Sequence, residues 1–199
     1  MHLIARRIML AALAGCGMIV PALGETAVVT RTETYAVSGS TTRAMVQSMA
    51  RNGPRHGFTA RAIAQTSYTV DWQLKTERQG HGCRIREAVG TLKLTYIYPR
   101  VTSPMSRPLA TRWKRFFAEV RKHEEKHGRI ARDMVSAAEK AARSGSLARD
   151  PSCIRTRREA KRLISAAYAE FEAKQIAFDA QEHKSGGPVD RLVAAFVRE

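Results

Sequence analysis

Residues His123-Glu124-Glu125-Lys126-His127 read H-E-x-x-H. On a helix the two histidines stand about one turn apart and face the same way, so two imidazole nitrogens can meet one metal ion. Glu124 follows the first histidine and can stand beside a metal-bound water without ligating. Two neutral nitrogen ligands and a carboxylate that accepts a proton from water are the parts of a hydrolytic site, with zinc as the cofactor. The plainer alternative is a pair of half-buried histidines that pack and hydrogen-bond. The spacing, with Glu directly after the first His, favours metal.

The surrounding residues predict the helix that the motif needs. From about Thr111 to Ala142 there is no Pro and one Gly, Gly128. Trp113, Phe116, Phe117, Val120, Ile130, Met134, Val135 and Ala138 recur at three- and four-residue spacing, and His123 and His127 continue that stripe. The histidines therefore point into the body of the protein, where further ligands would come from.

A hydrolytic zinc site takes three protein ligands and leaves one position open. In one known pattern a ligand stands ten residues after the first His. Here that residue is Asp133, but Gly128 is misplaced for the turn this requires, and on a continuous helix Asp133 points away. The second long helix offers Glu159, Glu170, Glu172, Asp179, Glu182 and His183. An antiparallel return favours Glu170 or Glu172. His183 is the remaining downstream histidine and precedes the Gly186-Gly187 break. Each acid, taken singly, reads equally well as a solvated helix charge. Tyr168 and His81 are open as oxyanion donors.

Three segments carry strand patterning. Ala27 to Val37 is rich in β-branched residues. From about Ala62 to Leu74, Tyr68, Val70, Trp72 and Leu74 alternate with polar residues. From about Arg84 to Tyr98, Leu92, Leu94, Tyr96 and Tyr98 alternate. Gln79-Gly80-His81-Gly82 makes the last two a hairpin, and Gly90 marks a candidate bulge. Thr42 to Arg51 reads as a short helix, Ile154 to His183 as a second long one, and Val189 to Val197 as a terminal one. The order predicts an α+β fold: a small antiparallel sheet of about three strands packed against two long antiparallel helices, the first carrying H-E-x-x-H.

Residues 1–24 read as a signal peptide: Arg6 and Arg7, an apolar run from Ile8 to Val20, and small residues ending at Gly24. The expected product is a secreted or periplasmic protein, with one domain over residues 25–199. The alternative is a lipoprotein anchored at Cys16, which ends Leu13-Ala14-Gly15-Cys16. Beyond the leader only Cys83 and Cys153 remain, and in an oxidising compartment they are expected to form one disulfide. The chain carries 34 Lys and Arg against 18 Asp and Glu. Removing Arg6 and Arg7 leaves a net charge of +14. Such a surface suits anionic partners, an envelope surface among them. No recognition helix, zinc finger or aromatic stacking motif points to nucleic acid, and none is expected as a partner.

In this order, several features resemble a bacterial domain-of-unknown-function family described as predicted secreted zinc-dependent proteases. They are Tyr35-Ala36-Val37-Ser38-Gly39, Gly53-Pro54, Thr69-Val70-Asp71-Trp72, Gly82-Cys83, Pro99, Trp113, Phe117, the His123–His127 motif, Cys153, and Phe178-Asp179 followed by a His. The resemblance covers most of the mature chain. It implies zinc on His123 and His127, Glu124 as general base, a Cys83–Cys153 disulfide and a third ligand between Phe178 and His183. In that family a Thr and a His-Gly follow the Tyr/Phe-Asp pair; here Glu182-His183-Lys184 stand there, which makes His183 the leading candidate.

The expectation is a zinc metallopeptidase acting on peptide or protein substrates. The rival reading is a non-catalytic envelope-associated binding protein with a structural metal and a basic surface. A third is a fold that keeps the histidines as core residues.

Overall fold

The computed structural model describes residues 27–56 and 60–198, so the expected leader and Cys16 anchor lie outside the described residues. Strand β1 (Ala27–Val37) leads to helix α1 (Thr42–Asn52), then to the short strands β2 (Arg55–His56) and β3 (Ala60–Arg61). The long hairpin β4 (Gln65–Gln79) and β5 (Gly82–Val101) follows. Helix α2 (Arg107–Arg143), strand β6 (Ser146–Leu147), helix α3 (Ile154–Glu182) and helix α4 (Pro188–Val197) complete the chain.

The main sheet has the order β1-β5-β4, with β6 paired to the start of β5. Alternating burial sets the inner face of β5: Leu92, Leu94, Tyr96 and Tyr98 are all buried, as period-two patterning requires. The architecture is the expected α+β, but the sheet is mixed rather than wholly antiparallel. β4 runs antiparallel to β5, whereas β1 runs parallel to it. A parallel pair needs a long crossover, and α1 with β4 supplies it. Side-chain alternation is the same in either direction, so the sequence pattern does not distinguish them.

Gly90 is not a bulge. The register slips instead between Lys75 and Thr76. Gly90 lies opposite Trp72, and a Cβ there would stand 2.6 Å from Val135 Cγ1 and 3.1 Å from the Trp72 ring. The glycine lets α2 settle on the sheet, and its N–H donates to the buried carboxylate of Glu139 at 2.8 Å.

α2 begins four residues before the pattern suggests. Pro108 falls in its first turn, where a missing N–H costs nothing, and the Ser106 hydroxyl caps it by accepting from Leu109 N–H at 3.4 Å. Ala138 and Ala142 of α2 pack with Ala160, Ile164 and Ala167 of α3. One long stretch further on, His127 meets Gln175. The two helices are therefore antiparallel. Cys83 and Cys153 form a disulfide across a separation of 70 residues, tying the start of β5 to the start of α3. Asp150 reinforces that corner: its carboxylate accepts from Thr156 N–H at 2.7 Å and from the Thr156 hydroxyl at 2.8 Å.

Candidate metal centre

His123 and His127 lie on an unbroken stretch of α2 that faces the last turns of α3. Their Nε2 atoms are 3.2 Å apart. Asp179 Oδ1 lies 3.0 Å from His127 Nε2 and 3.6 Å from His123 Nε2. Two nitrogens and an oxygen tetrahedrally disposed about zinc at about 2.0–2.1 Å would be separated by roughly 3.3 Å. The three edges match that size.

Gln175 fixes the His127 ring. Its Nε2 donates to the His127 backbone carbonyl at 3.2 Å, which turns its Oε1 toward the ring. That Oε1 lies 2.6 Å from His127 Nδ1, so Nδ1–H donates to it and Nε2 is the ring nitrogen left to face a metal. His123 Nδ1 is buried without a hydrogen bond among the described residues; Glu182 Oε2 stands 3.7 Å away. Burial pushes the His123 imidazole below its ordinary pKa, assisted by the charge of His127 and opposed by Asp179. A neutral ring is the form that ligates. These donors fit a zinc ion.

Glu124 is buried and meets β4 of the sheet. The Thr66 hydroxyl of β4 lies 2.6 Å from its Oε2 and 3.1 Å from its backbone oxygen. Burial raises its carboxyl pKa; the Thr66 hydrogen bond and the charge of His127 oppose this, and Asp179 adds to it. Gly128, in the middle of α2, receives the Tyr96 hydroxyl: a Cβ there would lie 1.9 Å from it.

The remaining candidates separate cleanly. Asp179 touches both motif histidines. His183 caps the end of α3, with Nε2 4.0 Å from Asp179 Oδ1 and its side chain 54 % exposed. His123, Asp179 and His183 each offer a ligand atom within 4.8 Å of the others. Glu182 faces His123 Nδ1 rather than Nε2. Glu170 is paired with Lys174 on the surface, and Glu172 lies by the Tyr68 hydroxyl. Glu159 pairs with Arg162, and Asp133 is exposed on an unbroken helix. Tyr168 accepts from Trp72 Nε1 at 3.1 Å and lies two turns of helix before Gln175; His81 is exposed in the β4–β5 turn. Neither is brought to the cluster as an oxyanion donor.

Gln175 and Thr66 are the hydrogen-bond partners of the motif side chains that sequence reading missed. A signal existed for Gln175. The buried stripe of α3 runs Ala160, Ile164, Ala167, Phe171, Gln175, and a polar residue on such a stripe needs a buried partner.

No helix of the described residues is long and apolar enough to cross a membrane. No curated protein and no solved structure matches the chain. The model of a family of bacterial proteins of unknown function (DUF922) matches residues 32–187, and the chain belongs to that family.

Proposed function

We infer that this protein is a secreted or periplasmic zinc-dependent hydrolase, a metallopeptidase, with Glu124 as its general base. The observation that carries the reading is the triangle of His123 Nε2, His127 Nε2 and Asp179 Oδ1, whose edges of 3.2, 3.0 and 3.6 Å suit one tetrahedral ion. Asp179 replaces His183 as the preferred third ligand, because it alone among the α3 candidates approaches both motif histidines.

When bound, zinc supplies Lewis acidity toward a carbonyl and lowers the pKa of water. The chain's own groups then have distinct tasks. Gln175 holds His127 in the tautomer that leaves Nε2 free. Glu124, raised in pKa by burial, takes a proton and returns it to the leaving amine. The Thr66 hydroxyl aims the Glu124 carboxylate and keeps it from becoming too basic to release that proton.

His183 favours a second reading. If it joins His123, His127 and Asp179, the site has four protein ligands and is closed, as in structural zinc sites. The protein would then be a binding protein with a structural metal. The two readings separate in peptide cleavage by the zinc-loaded protein, its Glu124→Gln variant and its His183→Ala variant. The hydrolase reading expects Glu124→Gln to keep zinc and lose turnover, and His183→Ala to keep both. Loss of zinc in His183→Ala, with no cleavage by the parent protein, would establish the closed site.

A further inference from the structure

On the other flank of α2, away from His123 and His127, a groove of about 810 Å³ opens between the helix and the β1 side of the sheet. Its walls are made of two chemistries. Tyr96 and Tyr98 of β5 with Trp113 and Phe117 of α2 form an aromatic floor. Trp113 stacks on Phe117 at 5.8 Å between ring centroids, and Tyr98 meets Phe117 edge-on at 5.7 Å. Above this floor stand Arg100, Arg121, Arg129 and Arg132, with Glu125 as the single acid of the lining. Arg121 is paired with Glu125 at 2.9 Å. Arg100, Arg129 and Arg132 have no carboxylate partner among the described residues.

The third wall is a strand edge. β1 ends the sheet order, and its far side pairs with no strand among the described residues. Thr32 and Thr34 line the groove beside their register partners Tyr96 and Tyr98. An eleven-residue edge whose outward backbone groups pair with no strand among the described residues, with the Ala36 C=O taken by Asn52 Nδ2 at 3.2 Å, is a template for another strand. A sheet edge under unpaired guanidinium groups selects one kind of strand: one whose side chains are carboxylates, which arginine grips bidentately.

We propose that this groove binds an acidic peptide segment in extended form. The segment pairs with the free edge of β1, places its carboxylates on Arg100, Arg129 and Arg132, and lays its apolar side chains on Trp113 and Phe117. The site is separate from the metal centre and does not depend on it: α2 stands between them. A polyanion without a peptide backbone meets the arginines but leaves the β1 edge unused.

The test is fluorescence anisotropy with a labelled peptide alternating Glu and Val, beside its Lys-for-Glu counterpart and an oligonucleotide of matched charge. Amide hydrogen exchange is followed over β1. The proteins are the full chain, an Arg129→Glu/Arg132→Glu variant and an Arg158→Glu/Lys161→Glu control on the exposed face of α3. All six outcomes have a fixed reading. Binding of the acidic peptide alone, slowed exchange in β1, a roughly tenfold loss in the groove variant and none in the control establish the proposal. Equal losses in both variants mean diffuse surface charge and overturn it. So does tighter binding of the oligonucleotide, binding of the Lys peptide, binding without protection of β1, or no binding. Repeating the titration on His123→Ala/His127→Ala keeps this result apart from the metal reading, since the affinity is expected to be unchanged there.

Discussion

Gln175 grips His127 at both ends: its carboxamide oxygen lies 2.6 Å from ring Nδ1, while its nitrogen donates to the His127 backbone carbonyl at 3.2 Å. The same amide therefore ties α3 to α2 and chooses which ring nitrogen faces Asp179. Removing it should be felt in metal affinity more than in folding. Gln175→Leu is expected to weaken zinc binding about 10- to 100-fold, measured against a competing chelator, with Glu124 and the ligands untouched. Unchanged affinity would mean the amide only joins the helices.

Gly128 should resist replacement by the better helix former. Alanine gains up to about 1 kcal/mol of helix propensity over glycine, yet its Cβ would lie 1.9 Å from the Tyr96 hydroxyl. Overpacking of this kind costs about 1–3 kcal/mol. Gly128→Ala is expected to lower the denaturation midpoint, and Tyr96→Phe in the same chain to recover part of the loss. A double-mutant cycle without coupling would contradict the contact.

The disulfide closes a loop of 70 residues in separation. Loop-closure entropy at that length corresponds to about 4 kcal/mol of stability. Cys83→Ser/Cys153→Ser should show a loss of that order in urea unfolding under oxidising conditions, and a reductant should have no further effect on the variant.

Asp150 predicts an acid-sensitive corner. Its buried position raises its carboxyl pKa, but the Thr156 backbone N–H, the hydroxyls of Thr156 and Ser152, and the charge of Arg155 outweigh this and hold it below the ordinary carboxylate value. A depressed folded-state pKa means that its stabilisation is present above the unfolded value, near pH 4. It is lost as the pH falls through the folded value. Asp150→Asn should flatten the fall of stability below about pH 4 and leave the slope between pH 6 and 8 unchanged.

Much of this was legible in the sequence, and the misses have physical causes. The alternation through Tyr68, Val70, Trp72 and Leu74 marks β4 because one face is packed. The stripe through Phe116, Val120 and Ile130 marks α2 and places both histidines inward. The parallel direction of β1 was not legible, since alternation carries no sign. The third ligand proposed above was harder to read: His183 has the commoner ligand side chain, but it follows α3 and is 54 % exposed. Helix phase points elsewhere. Continuing Ala167, Phe171 and Gln175 by one turn arrives at Asp179, while Glu170 and Glu172 leave the stripe. The Thr66–Glu124 contact joins residues 58 positions apart, and no local pattern encodes it.

The most direct measurement is the zinc content of the purified protein, after zinc is added and excess removed, beside His123→Ala/His127→Ala, Asp179→Ala and Glu124→Gln. One zinc per chain is predicted in the parent and in Glu124→Gln, with loss in the double histidine variant and marked loss in Asp179→Ala. A parent protein that takes up no metal would contradict the account, and with it the hydrolase reading.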